Sequence, residues 1–211
     1  AGDEAQRAQR LLELLMPLAK AYPSEKGFEA NVLAVQVHGG YGYTSEFLPE
    51  LLLREQKLNS LHEGTTGIQS LDLLGRKIFM DMGLSVGLLA EELRVTMEAA
   101  SQVPRLVPHA HTLERAFGQW TELLGVLGSR AQSGDMEAAL GTSAWHMELA
   151  WTVVVGWLWL QVAEKAATHP KQDAFVAGKL AACDYWFTAE MTRVPELAAL
   201  SNAVAALAAL W

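Results

Sequence analysis

The sequence predicts an all-α protein, on three observations. Apolar residues recur at three- and four-residue intervals along nearly the whole chain, no strand-like alternation persists for more than a few residues, and turn signals fall at helix-length spacing. The chain divides near Met80–Gly83. Residues 1–80 carry a glycine-rich turn and a glutamate beside a helix start, and residues 81–211 read as an up-and-down four-helix bundle.

Leu11, Leu14, Leu15, Leu18 and Tyr22 form one apolar stripe, the mark of an amphipathic helix. Pro23 ends that helix, because proline lacks the backbone donor and steers the residue before it away from helical dihedrals. Ser24 then caps a second helix, through Phe28, Val32, Val35 and Gln36 to His38. Gly39-Gly40-Tyr41-Gly42-Tyr43 breaks it and lets backbone approach a neighbour closely. A short helix over 46–58 follows, capped by Ser45, with Pro49 in its first turn. Thr66-Gly67-Ile68-Gln69 fits a capping box, in which Thr66 holds the Gln69 amide and Gln69 reaches back. The next helix runs through Leu71, Leu74 and Ile78, so Glu63 stands just ahead of its N-terminus, on a bend containing Gly64.

Four long helices follow residue 81, separated by turn signals at 103–108, at Ser133-Gly134-Asp135 and at His169-Pro170. Leu113, Phe117, Trp120, Leu124 and Leu127 make a bundle seam in the second. Val176, Leu180, Cys183, Phe187 and Met191 make a comparable stripe in the last, which Pro195 kinks or interrupts before an alanine-rich tail. The run from Leu149 to Ala163 is the most apolar, but it falls roughly five residues short of the ~20 a membrane span needs. Bracketed by Glu148 and Glu164, it reads as a core helix. Trp151, Trp157 and Trp159 cannot all face one core from one helix, which puts some of them at an interface.

Composition sets the remaining bounds. Of 211 residues, 51% are hydrophobic and 19% charged, which excludes disorder and calls for extensive buried or inter-subunit surface. The net charge of −8 and the lack of a basic run exclude a nucleic-acid footprint. A lone cysteine, Cys183, forms no internal disulfide, which suggests a cytoplasmic protein. The acidic start, Ala1-Gly2-Asp3-Glu4, is no targeting signal. It opens without Met inside a helical pattern, as a piece of a longer protein would.

Taken singly, the candidate chemical groups have plain structural readings. Gly39-Gly40 without a preceding strand is no dinucleotide fingerprint. Glu63 alone is a solvated carboxylate near a helix dipole. His109-x-His111 lacks a spaced third ligand and reads as solvent-facing, so no metal set emerges. His146 and Trp145 read as core, as does Cys183, and Met80, Met82 and Met97 read as packing residues.

Together, the motifs are more specific. Gln36-Val37-His38-Gly39-Gly40-Tyr41-Gly42-Tyr43, then Arg54-Glu55, then Glu63-Gly64-Thr65 with Gln69 downstream, resemble the acyl-CoA dehydrogenase signature in order and spacing. The chain beyond Gly83 resembles the extra C-terminal helical domain of a bacterial branch that includes the methylmercaptopropionyl-CoA dehydrogenases. The resemblance implies an FAD enzyme that takes a proton from the carbon alpha to an acyl-CoA thioester and a hydride from the beta carbon, leaving a trans-2-enoyl-CoA. Glu63 matches the base. A carboxylate on a dry, apolar bend, flanked by Leu61 and Gly64, has its charged form disfavoured and its pKa raised toward the working pH. Gly64 matches the position whose N–H contacts substrate, Thr65 and Gly67 match positions touching the flavin, and Gln36, Gly39 and Gly40 match contacts to the FAD pyrophosphate of a neighbouring chain.

A flavin shared between chains implies a homodimer or homotetramer, and electron-transfer flavoprotein is the acceptor the family implies. Two positions depart from the pattern: the usual Arg-Asp is Arg54-Glu55, which lengthens or loses an ion pair, and His62 precedes the base where Tyr is common. The family's N-terminal helical and middle β domains have no counterpart in these residues, so the chain alone is expected to be inactive and to bind FAD weakly or not at all. Two rival readings remain: a helical oligomerisation module that kept the motif without the chemistry, and a flavin-bearing relative with oxidase-like chemistry, which oxygen consumption would distinguish.

Overall fold

In the computed structural model, which describes residues 2–208, the first helix does not stop at Pro23. Helix α1 runs unbroken over Gly2–His38, with Pro17 and Pro23 inside it. An interior proline costs about 3 kcal/mol in an isolated helix. Here Leu14, Pro17, Leu18 and Ala21 are buried along the same stretch, and tertiary packing overrides the local signal. Ser24 caps nothing. Its hydroxyl donates to the Lys20 carbonyl one turn back, at 2.6 Å, and Gln56 Nε2 donates to the carbonyls of Pro23 and Ser24. The expected apolar stripe does hold: Leu14 and Leu18 are buried, with Leu11, Leu15 and Tyr22 packed beside them.

A 3₁₀ turn over Gly39–Tyr43 ends α1 and leads to α2, Leu48–Asn59. Ser45 is not the cap of α2. Phe47 occupies that position without a side-chain bond, and Pro49 supplies the fixed φ of the first turn. A bend follows, then α3, Thr66–Leu71, which widens into a π-helix over Asp72–Phe79. The extra residue per turn shifts the apolar face: Leu73, Leu74 and Ile78 are buried while Leu71 is exposed.

The remaining helices are α4, Leu84–Ser101; α5, Val107–Gln132, entered by a 3₁₀ turn at Pro104–Leu106; a short α6, Met136–Leu140; and α7, Ser143–Ala167. Helix α8, Ala174–Tyr185, continues through a π turn and a 3₁₀ turn into α9, Val194–Ala208. No strand occurs among the described residues, and the fold is all-α. The chain past residue 81 adds a short helix, α6, to its four long helical stretches. Ala1 and the last residues of the alanine-rich tail, 209–211, lie outside the described part.

Helix α7 is the axis of the molecule, packed against α3, α4, α5, α8 and α9. It is buried on nearly every side, the environment a helix apolar all round requires. Trp151 and Trp157 are therefore both buried, and Trp159 is half-buried with Lys179 of α8 over its ring, so no separate interface is needed to account for the three. No helix among the described residues is long and apolar enough to cross a membrane. The seam of α5 is Ala110, Leu113, Ala116, Trp120, Leu123 and Leu127, with Phe117 and Leu124 at its margin rather than in its line. All five residues of the stripe from Val176 to Met191, which runs from α8 into the turns after it, are buried.

Two other expectations fail. Met80 and Met82 are 76% and 84% exposed; only Met97 packs against the core. His109 does not face solvent: its ring stacks on Phe187, centroids 4.7 Å apart, and its Nε2 lies 2.8 Å from Asp184, while His111 is exposed. One continuous core runs from Leu14 of α1 to Ala205 of α9, crossing the 80/81 division without a break.

Candidate active site

The bend between α2 and α3 is made by dihedrals that few residues tolerate. Glu63 has φ 53° and Gly64 φ 89°, both left-handed. Glycine accepts this freely, whereas a glutamate there costs about 1–2 kcal/mol. Side chains from outside the bend hold it in place. Gln69 Nε2 donates to the Glu63 carbonyl at 3.2 Å, and Lys20 Nζ of α1 donates to the Gly64 carbonyl at 2.6 Å and the Asn59 carbonyl at 2.8 Å. A Cβ on Gly64 would stand 2.6 Å from Gln69 Nε2, so glycine also makes room for that clamp.

The helix start is shifted by one residue from the expected box. Thr65, not Thr66, is the N-cap, its Oγ1 accepting from the Ile68 amide at 3.3 Å. Thr66 instead donates to the Glu25 carboxylate of α1. Gln69 does reach back, but to the Glu63 carbonyl rather than to the cap amide. Gly67 lies in the first turn, exposed. Two features of α1, Lys20 and Glu25, thus fasten this loop, and neither carries a local sequence signal. Each is one charged residue among many on a helix, with partners about 40 residues away.

The Glu63 side chain is exposed, as is His62. The bend is therefore not dry within this chain: among the described residues none covers the carboxylate. Arg54 pairs with Glu50 one turn earlier, Nε to Oε2 2.8 Å, not with Glu55.

The second motif lies elsewhere. Gln36, Gly39 and Gly40 are exposed at the C-terminal end of α1, and Gly39 has φ 60°. Thirteen residues of helix separate Glu25, where the bend is fastened, from His38, which is about 20 Å at 1.5 Å per residue. The structure therefore keeps apart the two groups of candidate residues, Glu63–Gly64–Thr65–Gly67 and Gln36–Gly39–Gly40. Within the turn the glycines differ. A Cβ on Gly42 would meet the Val35 carbonyl oxygen at 2.6 Å, while one on Gly40 would meet nothing within 4 Å. Packing explains glycine at 42 and leaves it unexplained at 40.

Two deeply buried titratable groups, His146 and Cys183, lie far along the chain from both motifs. Burial pushes His146 down to about 3, and its Nε2 accepts from Trp120 Nε1 at 2.9 Å. Burial, helped by the charge of Asp184, pushes the Cys183 thiol up to about 12, so it is an inert core residue.

Two family descriptions match the chain. Residues 2–78 match the description "Acyl-CoA dehydrogenase, C-terminal domain", and residues 89–210 match "Acetyl-CoA dehydrogenase C-terminal like". The 3-methylmercaptopropionyl-CoA dehydrogenase of Ruegeria pomeroyi is 30% identical over 193 residues, 87% of this chain and 32% of that protein. A butyryl-CoA dehydrogenase of Syntrophomonas wolfei is 29% identical over 213 residues, 97% of this chain and 34% of its own length. A shorter likeness, 40% over 58 residues (28% of this chain and 15% of the relative), links it to the caffeyl-CoA reductase-Etf complex subunit CarC of Acetobacterium woodii. The chain spans about a third of the length of the long relatives it matches. An all-helical chain matched along nearly its whole length by C-terminal descriptions of one family belongs to that family, the acyl-CoA dehydrogenases, and corresponds to their C-terminal part.

Proposed function

We propose that this chain is the C-terminal part of an FAD-dependent acyl-CoA dehydrogenase, with Glu63 as the base that removes the alpha proton of an acyl-CoA thioester. The supporting observation is the bend itself: a glutamate kept at φ 53°, with its own carbonyl and the next one each fastened by a side chain. Strain of this kind persists where a fold over-determines it, and it gathers at functional sites. Residues 1–80 supply the catalytic segment and residues 81–211 an accessory helical domain. Gly64 offers its N–H to the substrate, and Thr65 and Gly67 face the flavin.

Glu63 is exposed here, so the apolar cover that a carbon-acid base needs comes from the rest of the protein and from the acyl chain. Gln36, Gly39 and Gly40 hold the FAD pyrophosphate of a neighbouring chain. They fit that role: among the described residues no contact demands bare backbone at Gly40, and Gln36 stands one helical turn before it. When bound, FAD supplies the hydride acceptor. Sharing it requires a homodimer or homotetramer, and the distance along α1 between the two motifs supports their serving different flavins. Electron-transfer flavoprotein, in the cytoplasm, takes the electrons onward.

The test uses the full-length protein, assayed with butyryl-, octanoyl- and palmitoyl-CoA and an artificial dye acceptor. Glu63→Gln is expected to cut turnover by about 10²–10⁴-fold while flavin stays bound. The exposure of Glu63 in this chain favours one rival, a helical interaction module without chemistry. Near-normal turnover of Glu63→Gln would decide for that rival.

A further inference from the structure

Lys20 holds both ends of the segment that carries Glu63. Its ammonium donates to the carbonyl of Asn59, the last residue of α2, and to that of Gly64, just before the cap of α3. Carbonyls in the last turn of a helix lack intrahelical partners and lie at the negative end of its dipole, so a cation there is doubly favoured. Hydrogen bonds from a charged donor are stronger than neutral ones, and this ammonium makes two, at 2.6 and 2.8 Å.

The consequence for the bend is geometric. A peptide is planar, so fixing its carbonyl also fixes the N–H on the other side of the bond. Gln69, through the Glu63 carbonyl, sets the plane that contains the Gly64 N–H. Lys20, through the Gly64 carbonyl, sets the next plane. Between them the two side chains fix the planes on both sides of Gly64, whose left-handed dihedrals they hold, and Glu63 is held through the first of those planes. Lys20 works from α1, a 37-residue helix seated in the core, so the reference point is rigid.

From this we infer that Lys20 is a positioning residue for the base: it touches no reacting atom and acts by aiming the Glu63–Gly64 bend. The inference rests on the reading of Glu63 as the base. In the full-length flavoprotein, Lys20→Met keeps the aliphatic stem and removes all donors. With butyryl-CoA as probe, the limiting rate of flavin reduction is expected to fall about 10- to 100-fold, the penalty of misplacing a reacting group by an ångström or so. Flavin content and KM should stay within about twofold, because the lost interaction belongs to the transition state. Lys20→Arg, which restores charge and donors, should recover most of the rate. A substrate deuterated at the alpha carbon should keep its isotope effect in Lys20→Met, marking proton abstraction as the slowed step.

A Lys20→Met rate within twofold of the parent overturns the inference, and so does a loss that tracks loss of bound flavin. Failure of both variants to yield soluble, flavin-loaded protein also counts against it, since Lys20 would then serve folding. Glu63→Gln separates the two claims. If it is inactive while Lys20→Met is normal, only the positioning role is lost; if it is itself active, the base assignment goes as well.

Discussion

The bend at Glu63 and the core around α7 are opposites. The bend is exposed, polar and left-handed, and its stabilising bonds run from side chains to backbone carbonyls. The α7 core is dry and regular, with Leu149, Ala150, Val153 and Leu160 fully buried. It also contains a strongly displaced titratable group, His146. Desolvation and candidate chemistry are therefore not in the same place. Packing has dried a histidine in the core, and has left in the open the carboxylate that would need drying. A perturbed group marks burial first, and function only where the burial adjoins a cleft.

The largest effect that could break this contrast is the acid sensitivity of the core. With Nε2 accepting from Trp120, the His146 proton sits on Nδ1, which has no partner, and protonation would bury a charge. The folded pKa is depressed from 6.5 to about 3, so stability is complete above pH 6.5 and declines as pH falls toward 3, because only the unfolded chain takes up the proton. The slope from this one group is at most about 1.4 kcal/mol per pH unit, or about 3 kcal/mol by pH 4. Urea unfolding of the chain at a series of pH values should show this excess over His146→Gln, which leaves an acceptor for Trp120 and does not titrate. Parallel curves for the two proteins would mean that the core is not dry at His146.

A smaller effect divides the glycine turn. Gly42→Ala drives a Cβ into the Val35 carbonyl and should cost about 1–3 kcal/mol in thermal or urea unfolding, the usual range for overpacking. Gly40→Ala meets open space and should leave stability within about 0.5 kcal/mol. In the full-length protein the order should reverse for flavin content, with Gly40→Ala the more damaging. Equal FAD retention in Gly40→Ala and the parent would remove Gly40 from the cofactor site.

How far the sequence could be read depended on the range of the forces involved. Helical periodicity placed the stripe of α1, the buried face of α8 and the core position of α7, because an apolar face repeats every turn and needs no distant partner to be recognised. The same local rules failed at Pro23, where burial of Leu14, Pro17, Leu18 and Ala21 carries the helix through, and at Leu71, where a π-helical turn rotates the face. The cap moved by one residue because Thr65 and Thr66 are chemically equal candidates and Glu25, 41 positions away, claims Thr66. The bend around Glu63 and Gly64 was legible as a motif. The lysine that fixes it was not, since its partners are backbone carbonyls, which every residue has.

The smallest prediction tests the bend most directly. If φ 53° at Glu63 is a real strain, removing the side chain's steric conflict should stabilise the protein. Glu63→Gly relieves about 1–2 kcal/mol of left-handed cost and gives back about 0.5–1 kcal/mol through the freer unfolded chain, for a net gain of about 0.5–1 kcal/mol. Glu63→Ala is the control, because it discards the carboxylate but keeps a Cβ in the left-handed region. It should gain nothing, so Glu63→Gly should unfold at higher urea than Glu63→Ala. Both variants of the full-length protein should lack turnover. A more stable and inactive Glu63→Gly would mean that the carboxylate is kept at this position against the preference of its own backbone, whereas equal stability of the two variants would mean that the bend is relaxed and that strain says nothing about function here.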